Sequence, residues 1–244
     1  MLEAMGNGSS DAACLLYDLL SDKGPSSTMS LVMEGLERFS EEGSTAAMVR
    51  LGDALSRGAL AEKDLERARQ LVEAAYESKA PDSGRCLMRI LWAVGTDDAL
   101  SELAAVAEEG ASKGDAVSSL WLGRVLMRGK GVPMDLERAE AHLRQAFDAR
   151  VPGARLQLMN LLWKIRTRSS CSEMVRISAP LISKENDRAL FLVGNAYYYG
   201  IGVRKDVKKA VALFRKAESR NPELGAKLKP LYGKAGVSKG KLPM

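Results

Sequence analysis

Slid against itself, the sequence falls into register at an offset of 71 residues, and the offset never slips. Gly52, Gly123 and Gly194 coincide, as do Gly58, Gly129 and Gly200, and Asp64, Asp135 and Asp206. So do Ala68, Ala139 and Ala210, and Ala75, Ala146 and Ala217, with Leu51, Leu122 and Val193 just before the first glycine. A long fixed period marks a chain built by stacking like units, none of which can bury its apolar face alone. Small residues at fixed positions imply helices in close contact, because Gly and Ala let backbones approach where larger side chains hold them apart.

The clearest copy starts at Ala189 and reads as helix, tight loop, helix. Ala189, Val193, Ala196 and Tyr197 recur at helical spacing, and Gly200 and Gly202 supply the stop. Asp206 is a good N-cap for a second helix whose Ala210, Leu213, Phe214 and Ala217 make the buried stripe. The segment from Ser118 repeats this plan, with Gly129 to Pro133 as the loop and Asp135 as the cap. The copy from Ala47 keeps Gly58 but has Leu60 in place of the second glycine.

These residues, a Leu-Gly pair, a G-x-G-V loop, a capping Asp and Ala at fixed distances beyond it, resemble the Sel-1-like repeat family, relatives of the tetratricopeptide repeat with units of about 36 residues. A 71-residue period then holds two units. The intervening units match each other at the same offset, Pro81 with Pro152, Leu87 with Leu158, Leu91 with Leu162 and Trp92 with Trp163. In them Met88 and Met159 replace the family's helix glycine, and the glycine loop is missing. A poorer copy fits residues 12–43, with Leu16, Leu19 and Leu20 on one helix and Met29, Val32, Leu36 and Phe39 on the next.

The resemblance implies an all-α, right-handed α/α superhelical solenoid of about six helix-turn-helix repeats. Its divisions would be 12–46, 47–79, 80–117, 118–150, 151–187 and 188–220. A short capping helix is expected over 221–230, with Asn221 as cap and Pro222 at its first position. Residues 1–11 read as a flexible N-terminus and 231–244, with Lys234, Lys239 and Lys241, as a basic flexible tail.

Composition excludes much chemistry. His142 is the one histidine, so a His-ligated metal site or His-based triad would have to be built around that ring, and it sits where the sister repeats have Leu71 and Leu213. Cys14, Cys86 and Cys171 are distant and unpaired, which fits reduced core thiols. The G-x-G loops lack the GxxxxGK[ST] layout of a phosphate loop. No catalytic residue, metal or cofactor is therefore expected. No stretch approaches the roughly 18 apolar residues of a spanning helix, and the start lacks a signal plan, so a cytoplasmic chain without membrane insertion is expected.

The net charge of +5 hides a gradient: residues 1–43 carry eight acids against two bases, and residues 200–244 carry twelve bases against three acids. Such asymmetry steers a partner, or is simply a solvated surface. The inner face of a Sel-1-like solenoid is lined by its first helices. Taking Leu51-Gly52 and its equivalents as core, the inward positions are Asp53, Arg57, Arg85, Arg89, Trp92, Arg124, Met127, Arg128, Asn160, Trp163, Lys164, Asn195, Tyr198 and Tyr199. This basic row with interleaved rings suits another protein or an extended acidic peptide. Trp92 and Trp163 read equally well as core wedges between helix pairs. Nucleic acid fits poorly, because no helix-turn-helix, RNP or zinc-finger pattern is present.

The resemblance implies a non-enzymatic scaffold or adaptor, of the kind that assembles or regulates bacterial signalling and cell-envelope polysaccharide complexes. Two alternatives stay open: an appended regulatory or targeting module of a larger enzyme such as a glycosyltransferase, and a module that binds an anionic polymer.

Overall fold

The computed structural model describes residues 1–21, 27–58 and 63–234, and among these the regular structure is entirely helical. The chain divides into two compact units, Met1–Met134 and Asp135–Met244. The first unit contains α1 (Leu2–Gly6), α2 (Ser10–Leu20), α3 (Ser27–Glu41), α4 (Thr45–Arg57), α5 (Leu65–Glu77), α6 (Ser83–Val94), α7 (Asp97–Ser112) and α8 (Ala116–Arg128). Each helix packs on the next from α1 to α8, and first helices also touch the first helix one pair along, α2 on α4, α4 on α6 and α6 on α8. The second unit contains α9 (Leu136–Asp148), α10 (Ala154–Ile165), α11 (Arg168–Ile177), α12 (Ala179–Ser183), α13 (Asp187–Tyr199), α14 (Val207–Arg220) and α15 (Leu224–Lys234). There α10 rests on α9 and α13, and α14 packs against α13 and α15.

The repeated residues perform the local work expected of them. Asp64, Asp135 and Asp206 each cap a second helix by accepting from the backbone N–H three residues on, at 2.9 Å in all three cases. Gly58, Gly129 and Gly200 end the first helices in the left-handed region. Gly52 and Gly194 are buried under their partner helices, where an added methyl would run into Val72 and Phe214 respectively. Ala68, Ala139 and Ala210 have no exposed surface.

The second glycine of the loop has a separate role. Gly131, at φ 73°, lies against the backbone at the start of α7, and Gly202, at φ 75°, lies against α11 in the same way. The loop is thus pressed onto the first turn of the preceding second helix, where neither a side chain nor an ordinary φ fits. Leu60, the substitute in the first copy, lies outside the described residues.

The units that lost the glycine loop keep their helix pairing through a shorter turn. Gly95 and Arg166 take the left-handed conformation at the helix end, and Thr96 and Thr167 immediately cap the next helix. A two-residue turn leaves no loop to press on the previous repeat, so the G-x-G signature has no purpose there.

At the start of the chain, α1 buries Met5 against Gly35, and Arg38 donates to the Met5 carbonyl at 3.2 Å. A flexible thioether filling the gap above a glycine is enough to hold a short helix. The second helix of the 151–187 unit breaks at Ser178 into α11 and α12, and α12 buries no residue. The terminal helix α15 runs past residue 230 to Lys234 and carries Pro230 inside it; Lys239 and Lys241 lie outside the described residues. Its Leu224 and Leu228 cover a cluster made by Leu190, Ala210, Phe214 and Ala217.

Candidate partner-binding face

The inward positions divide between the two units. In the first, Asp53 is the hub of a compensated network on α4. It accepts from the Tyr17 hydroxyl at 2.7 Å, pairs with Arg57 at 3.1 Å and pairs again with Arg89 from α6. Burial, then the hydrogen bond to Asp53, pushes the Tyr17 hydroxyl well above its ordinary range. Arg89 is also 3.2 Å from the Cys86 sulfur, and Arg85 pairs with Asp115 at 3.1 Å. These arginines flank a cleft of about 380 Å³, whose lining also includes Tyr17, Cys86 and Trp121.

Farther along the same face the compensation stops. The Arg124 guanidinium carbon lies 3.9 Å from the ring centre of Trp92 and 4.1 Å from that of Trp121, the two rings being 5.7 Å apart. Arg128 adds a second cation, 5.1 Å from the ring centre of Trp92. Among the described residues no acid pairs with either arginine, and the Arg124 Nε is buried without a hydrogen-bond partner. Burial pushes Arg124 down to about 10, and the Arg128 charge adds to the fall, so the group stays cationic at neutral pH. Met127 is half-buried on the same helix. Trp92 is both core and surface: half-buried, with a face given to Arg124.

In the second unit the row is thinner than expected. Asn195 is only 5% exposed, and Tyr198 is half-buried and leans on Phe214 with ring centres 6.3 Å apart. The cause is Phe214: its ring fills the space beside Gly194 and draws the adjoining side chains of α13 into the core. Tyr199 is 47% exposed, Trp163 is half-buried and Lys164 is exposed. Arg166 joins Trp163 and Tyr199, 5.2 Å and 5.4 Å from their ring centres. Asn160 is engaged, accepting from Arg188 at 3.0 Å.

Sequence reasoning missed Trp121, Tyr17 and Arg166. Trp121 was findable, because it sits 71 residues after Arg50 and immediately before the Leu122-Gly123 pair. Arg166 gives no periodic signal: it is a helix-end residue whose left-handed backbone turns its side chain back onto the helix. The functional groups of catalysis are sparse. Burial raises the thiols of Cys14, Cys86 and Cys171, and among the described residues no three His, Cys, Asp or Glu side chains are grouped to hold a metal.

No curated protein matches the chain. Among solved structures it is similar to c5321, a protective antigen of uropathogenic Escherichia coli strains described as displaying an SLR fold, with a TM-score of 0.74 at 18% identity. That match covers 96% of this chain and 51% of the antigen, so the chain spans about half the antigen's length. It is also similar to a Sel1 repeat protein from Oxalobacter formigenes, with a TM-score of 0.64 at 15% identity over 95% of this chain and 94% of the other. At such identities the likeness concerns the fold, that of an α/α repeat solenoid. The Sel1 repeat model matches residues 45–79, 116–150 and 187–222, the three copies that carry the Leu-Gly or Val-Gly pair and the capping Asp. The chain carries three Sel1 repeats.

Proposed function

We propose that this protein is a non-enzymatic scaffold that binds another protein, in extended form, along the face made by its first helices. The observation that supports this most is that each unit carries a half-exposed cluster of arginine and aromatic rings on its first helices, Arg124 and Arg128 with Trp92 and Trp121 in one unit, and Arg166 with Trp163 and Tyr199 in the other. Arginine and tryptophan are the side chains that most often dominate protein interfaces, since each offers a large apolar area together with directed donors. Among the described residues no helix is long and apolar enough to cross a membrane.

The test is a pull-down from lysate, with the intact protein beside Trp163→Ala/Tyr199→Ala, at about 50 and 200 mM salt. Tyr198 is left alone because it supports the core. The double variant is expected to keep its helical circular dichroism and melting temperature while losing a protein that the intact chain retains at both salts. Recovery of the same protein by both forms would place binding elsewhere, and recovery of salt-labile polyanions alone would favour the anionic-polymer reading.

A further inference from the structure

The 71-residue register sets up a comparison between equivalent positions. Asp53 and Arg57, one helical turn apart on α4, correspond to Arg124 and Arg128 on α8. In the earlier copy the pair is neutralised within the fold, with Arg89 and the Tyr17 hydroxyl completing the shell around Asp53. In the later copy the acid has become a second cation, and like charges one turn apart repel. Two indoles cover the Arg124 guanidinium instead of a carboxylate, and its Nε is buried without an acceptor. Packing alone gives no reason for a cation here, since Asn195 stands at the same position one period on and is buried.

We propose that Arg124 and Arg128, held against Trp92 and Trp121, form a receptor for a carboxylate carried by an acidic segment of a protein partner. The proposal rests on the scaffold reading and names its ligand chemistry. A guanidinium donates in its own plane, the direction in which a carboxylate takes a bidentate fork, and among the described residues no carboxylate of the fold takes it at Arg124. Apolar residues flanking that carboxylate would lie on the exposed parts of the two indoles. A continuous polyanion is a worse occupant: the arginines of the neighbouring cleft, Arg50, Arg57, Arg85 and Arg89, are already paired with Asp18, Asp53 and Asp115, so the run of uncompensated cations does not continue beyond Arg124 and Arg128.

The experiment follows the indole N–H signals of Trp92, Trp121 and Trp163 in the full ¹⁵N-labelled chain. The probe is an acetylated, amidated octapeptide alternating glutamate and leucine, with its glutamine counterpart as control. The glutamate peptide is expected to shift Trp92 and Trp121 at up to millimolar concentration and to leave Trp163 in place. The glutamine peptide should weaken the response at least tenfold, as should Arg124→Gln and, independently, Arg128→Gln. Parental amide protection in α6 and α7, which pack beside α8, reports that each variant remains folded around the site. Equal shifts with the glutamine peptide, stronger shifts with heparin at matched ionic strength, or silence at millimolar glutamate peptide would each overturn the carboxylate assignment. A lysate protein lost only on Trp163→Ala/Tyr199→Ala, with the peptide silent, would overturn this proposal and leave the scaffold reading intact. Peptide shifts with no retained lysate protein would do the reverse.

Discussion

At the residue scale, the glycines that set the register differ in what they tolerate. A methyl at Gly194 would meet the ring of Phe214, a buried side chain with no surface to retreat to. Helix propensity would gain about 1 kcal/mol from Gly→Ala, but overpacking costs about 1–3 kcal/mol. Gly194→Ala is therefore expected to be destabilising by about 1 kcal/mol, read as a lower urea midpoint at unchanged slope. Gly131→Ala should be worse, because a left-handed φ and a clash with the α7 backbone act together; about 2–3 kcal/mol is expected in the same assay. Both glycines were legible as structural from spacing alone. What spacing could not show was that Asn195 is buried and that Tyr198 leans on Phe214, because one ring position on a partner helix has no periodic trace.

At the element scale, the contrast between the two intervening units is informative. Both have lost their glycine loops. Yet α6 buries Cys86, Leu87, Met88, Ile90 and Leu91, and α7 runs unbroken for 16 residues beside it. The other unit has its second helix cut at Ser178, where the helix-breaking Pro180 soon follows. Amide exchange is therefore expected to be fast through residues 168–183 and slow through 83–112, and comparable protection in both would contradict this. What ties α11 down is Arg144 from α9, which forks onto Glu173 at 2.7 and 2.9 Å. The hydrogen bond from Arg144 holds the Glu173 carboxyl below its usual range. A folded-state value below the unfolded one means a contribution present above the ordinary carboxylate range and lost as pH falls through the lowered value. The pair is partly exposed, so Glu173→Gln should cost only about 0.5–1 kcal/mol at pH 7, and the difference from the parent chain should shrink below about pH 4. Helix pairing was readable from periodicity, whereas the break in the second helix was not: Pro180 was visible, but whether the chain restarts after it depends on packing.

At the scale of the whole molecule, the fold was legible because a repeat states its own plan several times, and errors in one copy are corrected by another. The candidate face was less so, since the register says which positions are equivalent but not which charges cancel. Asp53 and Arg124 are equivalent in the register and opposite in electrostatic role. The same modularity bears on cooperativity. In stacked repeats each unit touches only its neighbours, so stability is close to a sum of unit and interface terms, and damage at one end stays local. The last repeat depends on α15: Leu228 has no exposed surface and closes the cluster of Leu190, Phe214 and Ala217. Leu228→Ala removes buried methylenes and leaves a cavity, a change worth about 2–5 kcal/mol in a rigid core. In a chain of neighbour-coupled units that loss should appear as faster amide exchange in α13, α14 and α15, with protection in α4 to α7 unchanged. Equal loss along the whole chain would mean that the repeats fold as a single cooperative block. The glutamate-peptide response of Trp92 and Trp121 offers a second check on the same point, since locality requires Leu228→Ala to leave it at parental strength.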